Sequence, residues 1–274
     1  MQLPLRFGRF SVLFRGTQYE CFYQPSRYKR LYVLLSSAGT RTSYPRFDRF
    51  SWRTELQGHC LYIEDPMYEQ FPDLSVGWYY GNKQKSFLEG VCEITGAAAQ
   101  ELEIPFAEIC LIGSSAGGYA ALYSAAFLPG ALALAHNPQI RLCKWGGKST
   151  FEQITGNKVS GKDVLKRDDI RWIAENKQSR FFITVNMLSL IDFDQQIEPW
   201  LAELGESATY PMTHHGCVMF LFHRTPGPRA HHVFPRLGHA LPLINALTVS
   251  RRLNSDTIDE FVRSYPSAED LGRI

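Results

Sequence analysis

The stretch Glu108-Ile-Cys-Leu-Ile-Gly-Ser-Ser-Ala-Gly-Gly-Tyr-Ala-Ala-Leu122 decides how this chain is read. Residues 108–112 form a short apolar run, the pattern of a strand buried on both faces. Gly113, Gly117 and Gly118 supply small neighbours around Ser115, and residues 119–127 continue as an alanine-rich helix, ended by Leu128-Pro129-Gly130. Gly113-Ser114-Ser115-Ala116-Gly117 fits G-x-S-x-G. Five residues of that pattern are weak evidence alone, but a strand before it and a helix after it are what a nucleophile elbow requires. The helix start would aim free N–H groups at an oxyanion, Ala116 N–H first among them. A phosphate-binding loop would need G-x-G-x-x-G or a Gly-Lys-Ser/Thr ending, and neither is present.

Outward from the elbow, strands are expected over residues 5–14, 19–23, 31–35, 59–64, 131–135, 181–187 and 218–223, and a helix over 86–102. Alternation of strand and helix predicts an α/β architecture: a mostly parallel sheet with helices on both faces. Residues from about 140 to 180 are more polar and lysine-rich. They read as a small helical insertion in one domain spanning 1–274, since some forty residues would hardly be stable alone.

The chain has 274 residues, 45% hydrophobic and 20% charged, with a formal net charge of +2. That is enough apolar content for a sizeable core and too little net charge to point to nucleic acid or an anionic membrane. No run of about 18 apolar residues occurs, so no integral membrane segment is expected. The first ten residues do not read as a signal peptide. Six scattered cysteines without Cys-x-x-Cys spacing then favour reduced thiols and a cytoplasmic location.

An elbow serine needs a base and an orienting acid. Eight histidines compete. His239, in Gly238-His239-Ala240-Leu241-Pro242, follows the last strand and is the first choice for the base; His231 and His232 sit close by and read as surface or core. The pair His214-His215 with Cys217 lacks a second ligand pair at zinc spacing, so no metal is expected. For the acid, Asp192 and Asp194 both follow the strand at 181–187. Asp192, enclosed by Ile191 and Phe193, is favoured, whereas Asp194 has the position of a helix cap. The second oxyanion donor should come from the loop Ser36-Ser37-Ala38-Gly39-Thr40, with Ala38 N–H preferred over Ser37.

The order of elbow serine, acid and histidine resembles that of the α/β-hydrolase superfamily. Gly39-Thr40-Arg41, Asp65-Pro66, Gly77-Trp78-Tyr79-Tyr80-Gly81, the elbow and Asn137-Pro138-Gln139 are further similar to bacterial hydrolase-like proteins found with polysaccharide-biosynthesis enzymes. That group is similar in turn to an acyltransferase-like component of the accessory Sec export system, which acts on glycoprotein sugars. The resemblance runs from about residue 30 to 245. It implies a serine esterase or deacylase acting on an O-acylated saccharide or small ester, with a carbohydrate O-acyltransferase or a non-catalytic assembly module as alternatives. It implies no cofactor and leaves the oligomeric state open. Aromatics are dense from Tyr44 to Tyr80, and Trp78 and Tyr79 with Arg41 are the expected sugar-facing residues, although core packing is the ordinary use of such side chains.

Overall fold

The computed structural model describes residues 1–39, 44–145, 148–155, 165–226, 231 and 237–265. The strands are β1 (Gly8–Phe14), β2 (Thr17–Gln24), β3 (Leu31–Leu35), β4 (His59–Ile63), β5 (Ile109–Ser114), β6 (Leu132–His136), β7 (Arg180–Asn186), β8 (Met212–His215) and β9 (Val218–His223). They form one nine-stranded sheet in the order β1-β2-β4-β3-β5-β6-β7-β9-β8. The inner pairs β4–β3, β3–β5, β5–β6, β6–β7 and β7–β9 are parallel. β1 and β2 at one edge, and β8 at the other, run antiparallel.

The strands alternate their side chains between two cores. Val33, Leu35, Leu111, Ala133, Ile183 and Phe220 face one side, packed on α2 (Phe87–Glu101), α3 (Ser115–Ala125) and α5 (Glu198–Glu203). Tyr32, Leu34, Cys110, Ile112, Leu134 and Phe182 face the other, covered by α6 (Leu237–Asn245) and α7 (Ser255–Arg263). Both faces are therefore dry, which explains why β3, β4, β5 and β6 are buried at every residue. Within 140–180 the described residues carry α4 (Lys148–Thr155) and two short 3₁₀ turns, Leu142–Lys144 and Arg171–Glu175. A one-turn helix, α1 (Met67–Gln70), follows β4. Among the described residues no helix is long and apolar enough to cross a membrane.

Strand order reverses where β3 lies between β4 and β5. In open parallel sheets, ligands bind at the carboxyl ends of strands beside such a reversal, because the flanking loops diverge there. Ser115 stands at that point, directly after β5.

Candidate active site

Ser115 has a φ of 51°, left-handed for a residue with a Cβ. Its neighbours impose that conformation. A Cβ on Gly113 would lie 2.1 Å from the Gly117 carbonyl oxygen, and one on Gly117 would lie 2.6 Å from that of Leu35. The turn closes only because both are glycine, and α3 then starts against the end of β3. The helix begins at Ser115, four residues before the alanine-rich run suggested.

The Ser115 Oγ lies 3.0 Å from His231 Nε2. His231 Nδ1 is 2.7 and 2.8 Å from the two carboxylate oxygens of Asp192. A carboxylate can only accept, so Nδ1 carries the hydrogen and Nε2 is left to accept from the serine hydroxyl. Asp192 is fully buried on a π-helical segment, Leu190–Ile197, that leaves β7. Ser189 Oγ donates to its Oδ2 at 2.6 Å. Asp194, two residues on, is exposed. Asp192→Asn is therefore expected to lower turnover of an aryl ester by about 10⁴, as loss of the correct imidazole tautomer does. Asp194→Asn should stay within a few-fold. Assays of the two purified variants check this, and the reverse order would move the acid to Asp194.

The histidine that the structure sets against Ser115 differs from the expected His239. His239 lies in α6, and the histidine against Ser115 is His231. The Gly-His pairing that favoured position 239 belongs to the start of a helix, whereas the chain after β9 has already returned to the elbow eight residues earlier. Asn137, at φ 41° after β6, holds that return: its Nδ2 donates to the His231 carbonyl at 3.1 Å, and its Oδ1 accepts from Asn186 N at 2.9 Å. The histidines at 59, 136 and 223 serve packing. His136, His223 and Tyr265 stack, with interplanar angles of 3° and 11° between neighbours. Burial, and then the neighbouring His136, hold His223 well below the usual imidazole range. His214 and His215 lie on the edge strand β8. Among the described residues, no three metal-ligating side chains could hold an ion.

On the loop after β3, Ser36 N donates to Tyr79 Oη, Ser37 N to Asp48 Oδ2 and Gly39 N to the Ser75 carbonyl. Among the described residues, this leaves the Ala38 N–H as the loop amide without an internal acceptor. Ala116 N–H belongs to the first turn of α3, where amides have no partner within the helix.

Trp78 and Tyr79, expected to face the sugar, are both fully buried, with left-handed φ values of 56° and 53°. Tyr79 Oη donates to the Ile63 carbonyl at 2.7 Å and so anchors the loop that carries Ala38. Trp78 Nε1 donates to Gln139 Oε1 at 3.2 Å, and Gln139 Nε2 donates to Ser115 Oγ at 2.8 Å. Arg41 lies outside the described residues. The aromatic that does border the site is Trp145, partly exposed, with its ring centroid 6.4 Å from that of His231. Sequence reasoning missed Gln139 and Trp145, although Asn137-Pro138-Gln139 was a visible signal.

No protein-family model matches the chain, and no curated protein matches its sequence. Solved structures do match. The capsule O-acetyltransferase of Neisseria meningitidis serogroup A superposes with a TM-score of 0.58 at 13% identity, covering 86% of this chain and 96% of that one. Acetyl xylan esterase from Paenibacillus sp. R4 gives 0.56 at 16%, covering 92% and 90%. The glycosylation-associated Gap123 complex from Streptococcus agalactiae gives 0.59 at 14%, covering 90% of this chain and 48% of that one. At these identities the likeness is one of architecture: the chain has the α/β-hydrolase fold.

Proposed function

We propose that this protein is a serine esterase or acyltransferase that handles short acyl groups, foremost acetyl, on a saccharide. The observation that carries the reading is the unbroken contact from Ser115 Oγ through His231 to buried Asp192. His231 takes the serine proton as Oγ attacks the acyl carbonyl, and Asp192 stabilises the imidazolium. Ala116 and Ala38 N–H hold the oxyanion. The sugar hydroxyl departs with the proton from His231, leaving the acyl group on Ser115. Water or a second hydroxyl then releases it by the same steps in reverse.

The saccharide part rests on two supports. The partly exposed indole of Trp145 beside His231 is a flat apolar face of the kind that packs against sugar C–H groups. Two of the matching structures are, by name, a capsule O-acetyltransferase and an acetyl xylan esterase. The test compares kcat/KM for an aryl acetate, an aryl octanoate and an acetylated oligosaccharide. The acetate should exceed the octanoate, and the oligosaccharide should gain from binding away from the carbonyl. Preference for octanoate with no turnover or transfer on acetylated sugars would overturn the substrate class. A hydrolase fold retained only for assembly is the rival. Failure of a fluorophosphonate to label Ser115 would favour it.

A further inference from the structure

The matched contacts of Ser115 account for one side of its oxygen, towards His231. The other side is occupied by Gln139, a fully buried side chain whose carboxamide is engaged at both ends. An indole N–H can only donate, so Trp78 fixes the carbonyl end of the amide towards itself and the NH₂ end towards Ser115. The oxygen of Ser115 must therefore accept from Gln139, and its own hydrogen has His231 Nε2 as the acceptor. The backbone around Gln139 is held equally firmly. Gln196, on the same π-helical segment as Asp192, accepts from the N–H groups of Ile140 and Arg141 at 2.9 and 2.8 Å, and Pro138 packs against Gly118 of α3.

We propose that Gln139 is a further catalytic residue, whose amide stabilises the Ser115 oxygen as the leaving group when the acyl-enzyme breaks. This rests on Ser115 being the nucleophile. In acylation, the serine proton passes to His231, the Oγ–acyl bond forms, and the alcohol leaves with that proton. In the second half, water or a hydroxyl loses its proton to His231 and attacks. The Oγ–acyl bond then breaks, its electron pair returns to Oγ, and His231 reprotonates it. Gln139 already donates to Oγ in the free enzyme, so acylation gains little from a bond present at both its start and its summit. In the acyl-enzyme, Oγ is an ester oxygen and a weak acceptor. The amide bond strengthens only as the electron pair comes back, so its effect falls on deacylation. Trp78 acts through Gln139 as a positioning residue.

The experiment follows aryl acetate hydrolysis by wild type and Gln139→Met, a near-isosteric change without a donor, in rapid-mixing and steady-state assays. Fluorophosphonate labelling rates are measured in parallel. Loss of a preorganised donor to developing charge costs about 10²–10³ at most. The expected result is a fall in kcat of about 10- to 100-fold within that bound. KM should fall in parallel, kcat/KM and labelling rate should stay within a few-fold, and a burst should approach one acyl group per chain. Trp78→Phe keeps an aromatic ring but removes the indole N–H, which frees the amide to turn over, and should shift the same ratio in the same direction by less. If kcat and kcat/KM fall together in Gln139→Met, if neither changes, or if labelling is lost, the proposal is overturned. A wild type that forms no acyl-enzyme and takes no label would instead overturn Ser115 as nucleophile, a separate result.

Discussion

Ser115→Ala is expected to reduce hydrolysis of an aryl acetate by about four to six orders of magnitude while the chain stays folded. The substitution removes one oxygen and keeps the Cβ. The left-handed backbone at 115 is imposed by Gly113, Gly117 and the end of β3, and alanine there meets the same constraints as serine. What is lost are two hydrogen bonds, to His231 and from Gln139. A buried donor left without a partner costs about 1–3 kcal/mol, so a modest drop in melting temperature should accompany the loss of activity. Turnover and thermal unfolding of the same purified variant check both parts. Near-wild-type turnover would remove Ser115 from the chemistry.

His231→Gln should be as severe, whereas His239→Gln should stay within a few-fold. His231 Nε2 is the acceptor in contact with the serine hydroxyl, and no reaction starts until that proton has somewhere to go. Glutamine fills similar space and keeps hydrogen-bonding capacity but has no basic nitrogen, so a large loss speaks for base function over packing. His239 lies on α6, a helix whose described buried residues Ala240, Leu243 and Ile244 serve the core on one sheet face. Fluorophosphonate labelling of both variants, alongside ester turnover, separates the two positions. An inert His239→Gln with an active His231→Gln would place the base on the helix.

These two predictions mark where the sequence was and was not legible. Strands β3 and β9 were visible at their full length because they are uninterrupted apolar runs bounded by polar or small residues. The elbow was visible because only glycine tolerates the close approaches at 113 and 117. Asp192 was singled out by apolar neighbours, and the structure sets it against His231. The histidine that meets Ser115 was not legible, since His231 and His239 both follow β9. Chain order cannot tell a loop that has returned to the elbow from the helix just beyond it. β8 was hidden as well: Met-Thr-His-His is not apolar, and an edge strand paired on one side need not be. Trp78 and Tyr79, expected to face a sugar within a segment whose ordinary reading is core, are fully buried. Trp78 reaches Ser115 only through Gln139, sixty-one positions along the chain.

The covering of the second sheet face has a consequence for synthesis on the ribosome. Every described strand has been made by His223, but Ala240, Leu243, Ile244, Ile258 and Phe261, which close over Tyr62, Ile112, Leu134 and Phe182, come afterwards. At about 5–20 residues per second, the forty-two residues from His223 to Tyr265 take about 2–8 s to add. A nascent sheet completed at β9 carries one dry face and one apolar face that the segment around Trp52 and Leu56 covers only in part during that interval. Chains stopped between positions 224 and 236 would lack both α6 and α7 and keep much of that face exposed, and would be expected to engage chaperones or aggregate even though the nine described strands are present.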